Sequence, residues 1–255
     1  MLKVFSSQKF WAIFILVLFI ASPANSARIK DLTSIQGVRS NQLIGFGLVI
    51  GLTGTGDSAT NVFFSIQTIV SMLKRLGVTV PTAEVDQLKF KNIATVIVTA
   101  DLPPFSKQGD YIDVTVSSLG DSKSLQGGTL LMTPLKGPDG NTYGLAQGPL
   151  SIGGFSVAGA ARGVQKNHVT VGRIANGAQV EKEIKYDFNS KEEIILALKK
   201  TDFTTASRIS KAINDDMKDS LASMLNGGTV QIRVPELYLN NTSGFVTRIE
   251  SLDVT

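Results

Sequence analysis

The sequence predicts an α+β fold of mixed strands with a few helices, and three observations carry that prediction. β-branched runs of strand length recur between Gly- and Pro-containing breaks, apolar residues recur at helical spacing in two places, and the C-terminal part holds a small strand-helix-strand module. The 255 residues include no cysteine, so there is neither a disulfide nor a thiol nucleophile, and burial must supply the stability. A chain of this length can bury a sizeable core.

The first residues set the compartment. Lys3 and Lys9 precede an apolar core from Phe10 to Ala21, and the small-residue stretch Ser22 to Ala27 follows it, which is the layout of a signal peptide. A membrane anchor is the competing reading, but the run is about a dozen residues where ~20 are needed to span a bilayer. Ala24 and Ser26 suit a signal peptidase, so cleavage is expected between Ser26 and Ala27, with 1–26 removed. That takes away two lysines and no acid and lowers the formal net charge from +4 to +2. Such a mild excess argues against nucleic acid as a partner.

The mature chain opens on a glycine-studded strand. Leu43 to Leu52 is apolar, carries Gly45, Gly47 and Gly51, and runs into a Gly54-Thr55-Gly56-Asp57 turn. Glycines inside a strand let another backbone approach closely. A phosphate cradle would need them between a strand and a helix N-terminus, and the turn lacks the Lys-Ser/Thr pair of a P-loop.

Next, Asn61 to Leu76 reads as an amphipathic helix, closed by Gly77 and kept from resuming by Pro81. Ile93 to Ala100 and Tyr111 to Ser117 follow as a hairpin-like pair with a longer loop, and Thr129 to Leu135 as a further strand. Gln147 to Gly163, rich in Gly, Ala and Ser, reads as a mobile connection within a flexible segment 147–170. Gly172 to Ile184 looks like another hairpin, and Glu193 to Lys199 like a strand. Phe203, Ala206, Ile209, Ser210 and Ile213 mark a helix, Thr229 to Val234 a strand, and Arg248 to Thr255 an alternating terminal strand.

Candidate chemistry is sparse. His168, the single histidine, sits in the Gly/Ala/Ser-rich connection with no second histidine or cysteine to complete a metal site or a Ser-His pair, and reads as a solvated loop residue. Ser71 and Lys74 match the Ser-x-x-Lys of penicillin-binding enzymes, yet no Lys-Thr-Gly or Ser-Asp-Asn follows. Ser65, Ile66, Ile69, Val70, Leu73 and Leu76 describe a buried helix face, which leaves Ser71 and Lys74 on its surface. Asp215, Asp216 and Asp219 lack the alternating oxygens and glycine of a calcium loop and read as a solvated face. The sequence therefore implies no catalytic, cofactor or metal residues.

Four stretches together resemble the flagellar P-ring protein family: ARIKDLTSIQGVRSNQLIGFGLVIGLTGTGD at 27–57, VTADLPPF at 98–105, GDYIDVTVSSLGDSKSLQGGTLLMTPLKG at 109–137 and GRIANGAQVEKE at 172–183. The resemblance spans nearly the whole mature chain in order. It implies a structural protein and not an enzyme: many copies forming a periplasmic ring around the distal rod of the basal body, acting with the L ring as a bushing. Its expected partners are itself, the rod, the L-ring protein, a P-ring assembly chaperone and peptidoglycan.

On this reading 27–185 form an N-terminal α+β ring domain and 186–255 an αβ module that resembles the small modules of secretion and flagellar rings by fold analogy. Family members usually run further, so the module is expected to be incomplete at its C-terminus and its last strand to lack a partner. Lys91 and Lys123 flank strands where the resemblance places basic residues facing the rod. A periplasmic cell-wall-binding protein or a peptidoglycan-active enzyme is the alternative.

The signal-peptide reading is checked by N-terminal sequencing of the exported protein, which should begin at Ala27. Recovery of an intact Met1 form from the inner membrane would mean that the segment is an uncleaved anchor.

Overall fold

A computed structural model describes residues 26–58, 90–153 and 169–254. In chain order its strands are β1 (Ala27–Arg28), β2 (Thr33–Ile35), β3 (Asn41–Ile50), β4 (Ile93–Leu102), β5 (Tyr111–Ser118), β6 (Thr129–Lys136), β7 (Thr142–Pro149), β8 (Val171–Val180), β9 (Glu193–Leu198), β10 (Ala222–Asn226), β11 (Thr229–Arg233) and β12 (Asp253–Val254). The helices are α1 (Ile29–Leu32), α2 (Phe203–Met217) and α3 (Thr242–Glu250). The fold is thus α+β, and its contacts divide it into two units: Arg39–Tyr186, and the segment ending at Val38 together with Asp187–Thr255.

The first unit is a closed antiparallel barrel in the order β3-β4-β5-β8-β7-β6. Two three-stranded meanders, β3-β4-β5 and β6-β7-β8, are joined at both ends, β3 pairing with β6 and β5 with β8. The sequence builds this by alternation: Val96, Val98, Ala100 and Leu102 of β4 and Ile112, Val114 and Val116 of β5 point into one core, and the residues between them mostly face out. Closure requires the β3 glycines. A Cβ on Gly45 would lie 2.7 Å from the Pro134 carbonyl oxygen, and one on Gly47 would lie 2.3 Å from Thr133 Oγ1. The close approach expected from sequence is therefore made by β6.

The second unit is a four-stranded sheet, β10-β11-β9-β2, with helices packed against it. Asp202 caps α2 by accepting from the amides of Thr204 and Thr205, and the helix ends at Lys218 in the left-handed conformation. Its Ala206, Ile209 and Ile213 share a core with Leu196, Val230 and Ile232 of the sheet and with Phe245 and Ile249 of α3. Each such large side chain contributes roughly 1.5–3 kcal/mol on burial.

Several expectations are corrected. Gly172 to Ile184 is not a hairpin but mainly the single strand β8, because Asn176 and Gly177 form a bulge and not a turn. Gln147 to Pro149 close β7, and Gly148 and Pro149 pair with Leu130 and Thr129 at the start of β6. Strands β1, β2, β7 and β10 and helix α1 have no counterpart among the elements expected from sequence. Arg248 to Glu250 belong to α3, whose apolar spacing of Phe245, Val246 and Ile249 sets its buried face. The terminal strand is only Asp253–Val254 and it has a partner, since Val254 pairs with Ala27 and Asp253 with Arg28. The segment up to Val38, grouped from sequence with residues up to 185, makes its contacts with the later part of the chain: Ile29 is fully buried there and β2 pairs with β9. The helix expected at Asn61 to Leu76 lies outside the described residues.

Gly45→Ala should cost about 1–3 kcal/mol, because a strand backbone cannot yield as a flexible side chain can. A urea midpoint equal to that of the unsubstituted protein would show that β3 and β6 close the barrel without this contact.

Candidate functional site

One end of the barrel is organised by the turn that follows β3. Gly51 and Gly54 take positive φ, at 84° and 72°, and let the chain fold back beside β4. The turn's amides are spent on protein acceptors: Leu52 N–H donates to the Asn92 carbonyl (3.1 Å), Gly56 to Lys91 (2.7 Å) and Asp57 to Ile93 (2.8 Å). Gly54 N–H donates to Asn92 Oδ1 at 3.1 Å. With its donors engaged in this way, the turn is a clasp and not an anion cradle.

At its centre lies Asp57, 2% exposed. Its carboxylate accepts from the Thr95 amide at 2.7 Å and the Ser122 amide at 3.0 Å, tying β3, β4 and the 119–128 loop together. Gly120 makes room for it, since a Cβ there would sit 2.3 Å from Asp57 Oδ1. Next to it Ser58 bonds Asp121 through both its amide and its hydroxyl. Sequence reasoning missed Asp57. The available signal was an acid closing a glycine turn ahead of a Gly-Asp-Ser loop.

This clasp positions the two lysines singled out from sequence. Lys91 sits on a 3₁₀ turn, Phe90–Asn92, and its carbonyl accepts from Gly56. Lys123 lies in the 119–128 loop, and its amide donates to the Thr55 carbonyl at 2.8 Å. The structure thus brings both backbones onto consecutive residues of one turn. Both side chains are exposed, and among the described residues neither forms an ion pair.

A second polar cluster explains the GRIANGAQ stretch. Two extra β8 residues oppose β5 between the pairs Ile112–Ala178 and Val114–Ile174. Asn176 takes φ 51° there and donates its amide to Asp113 at 2.8 Å, while Arg173 Nη2 donates to the other Asp113 oxygen at 2.7 Å. These bonds, the Asn176 amide foremost, hold the Asp113 carboxyl below the usual carboxylate range. Of the other candidates, Asp215 and Asp216 lie in the last turn of α2 and Asp219 just after it, with Asp216 accepting from Arg248 Nε at 2.8 Å. Ser71, Lys74 and His168 lie outside the described residues.

A family model described as flagellar P-ring protein matches residues 28–255. A flagellar P-ring protein of Nitrobacter winogradskyi is 50% identical over 237 residues, covering 92% of this chain and 63% of the relative. One of Geobacter sulfurreducens is 48% identical over 247 residues, covering 97% and 66%. The chain therefore spans 63–66% of the length of these curated relatives.

Asp57→Ala should destabilise the protein by about 1.5–3 kcal/mol, because two buried amides lose a charged acceptor. Hydrogen exchange at Thr95 and Ser122 should rise with it, and Asp57→Asn should recover part of the loss. Unchanged exchange at both amides would remove the clasp from the account.

Proposed function

The chain belongs to the flagellar P-ring protein family, and from that premise we propose that it is a structural, non-enzymatic component of the bacterial flagellar basal body. Copies assemble in the periplasm into a ring around the distal rod, and the ring acts with the L ring as a bushing. A dedicated assembly chaperone and the peptidoglycan layer are its further partners. The observation that carries this reading is the family match along almost the whole mature chain.

The barrel end gives the bushing a physical basis. A surface that must slide cannot rely on apolar contacts, whose release costs free energy at every step. Hydrated charge acting at a distance, screened beyond ~8 Å at physiological salt, keeps surfaces aligned without adhesion. Lys91 and Lys123 suit that role because the clasp fixes their backbones while their side chains reach into solvent. Multiplied around a ring, charges that are weak singly become a continuous positive collar.

Changing Lys91 and Lys123 together to glutamate in the full-length protein should abolish motility and leave basal bodies without the ring, while the purified variant keeps its circular dichroism and thermal midpoint. Normal swimming and normal basal bodies would rule out a rod-facing role for this pair.

A further inference from the structure

Two surfaces among the described residues have complementary form. The first is a knob after β11. Leu237 is 87% exposed on the short turn Glu236–Tyr238, and Leu239 beside it is 44% exposed. The turn is rigid: Pro235 precedes it, the Tyr238 and Leu239 amides donate back to the Pro235 and Glu236 carbonyls, and the Tyr238 ring packs on Phe245 with centroids 5.1 Å apart. Arg248 Nη1 donates to the Tyr238 hydroxyl at 3.3 Å. A large apolar side chain held in water on a fixed turn loses little entropy when it is covered.

The second is a trough of about 850 Å³ on the outer side of the barrel. One cross-strand row runs through it, from Lys136 on β6 to Ile44 on β3, Thr99 on β4, Thr115 on β5 and Arg173 on β8. Ile44 is 55% exposed, and Lys136 lies beside it on the neighbouring strand. Of the acids that line the trough, Asp113 is already met by Arg173 and Asn176, and Asp101 lies off this row, paired with Gln42.

We propose that the Glu236–Leu239 knob of one copy seats in the barrel trough of the next, Leu237 against Ile44 and Glu236 beside Lys136. This rests on the ring reading above. The occupant is a second copy because a ring is closed by a heterologous contact, which needs two different complementary surfaces on every subunit. The described residues offer such a pair: an apolar knob with an acid at its base, and a trough in which the exposed Ile44 lies beside a cation. Asp101 sets the register, since a knob shifted toward it would bring Glu236 against a like charge.

The absence of native cysteine makes the test direct. Ile44→Cys and Leu237→Cys, combined in the full chain and oxidised in cells, should give a ladder of multimers on a non-reducing gel, whereas each single variant should stay a monomer, because no second thiol faces it. Glu236→Lys in that background should reduce the ladder ~2–5-fold, the range of an exposed ion pair, and adding Lys136→Glu should restore it. A ladder without rings in electron micrographs would support the contact and defeat the ring. Rings without a ladder, or a charge reversal that the second reversal fails to rescue, would overturn the contact and leave the ring reading standing.

Discussion

The barrel closes because two inward-facing positions of β3, Gly45 and Gly47, carry no side chain. β3 and β6 are paired at Ile44–Lys136 and again at Val49–Leu130, with an irregularity between, and it is there that Thr133, Pro134 and Leu135 crowd onto Gly45 and Gly47. A six-stranded barrel has a narrow interior. Val96, Val98, Val114, Val116 and Ala146 fill it, and larger groups on β3 would hold β6 away. Were the closure lost, β3 and β6 would become open edges with unpaired backbone groups. The clasp depends on closure too, because the Asp57 turn continues directly from β3, and the loop whose Ser122 amide it holds leads into β6.

The sheet unit obeys a different constraint: it is completed by residues far apart in sequence. β2 pairs with β9, β1 pairs with β12, and the fully buried Ile29 lies between those two early strands. The barrel residues are contiguous in the chain, so loop closure costs them less than it costs a unit that joins both ends of the described chain. The proposed cleavage site bears on this. A mature chain starting at Ala27 begins on the first residue of β1, paired with Val254 and with no overhang to compete for that edge.

Much of this was legible. The β3 glycines, the β4-β5 pair, α2 with its buried positions and the strands on either side of it follow from periodicity and turn chemistry, which are local. What was missed is non-local. β7 and β10 carry Gly, Pro, Ser and Asn that weaken a strand signal, and only their partners make them strands. The Asn176-Gly177 step looks like a hairpin turn until Asp113, on another strand, is seen to bond the Asn176 amide. The sequence shows an acid closing the glycine turn at Asp57 but not what it holds, for the same reason: its two amide donors are 38 and 65 residues away. Lys91 and Lys123 were named separately, and nothing in their spacing says that one turn gathers them.

Once gathered, the lysines differ from the cation on the bulge in a way that suits two kinds of contact. Lysine carries a compact, strongly hydrated charge on a flexible stem, so it can act on a passing surface without shedding its water. Arg173 presents a planar fork, already oriented by Asp113 at 2.7 Å, and loses less freedom when it adds a further bond. A sliding surface needs the first property, which the clasp supplies at one end of the barrel. Arg173 has the second and, held by Asp113, fixes the wall of the trough at the far end of the row from Ile44 and Lys136, which receive the neighbouring knob in the proposed assembly.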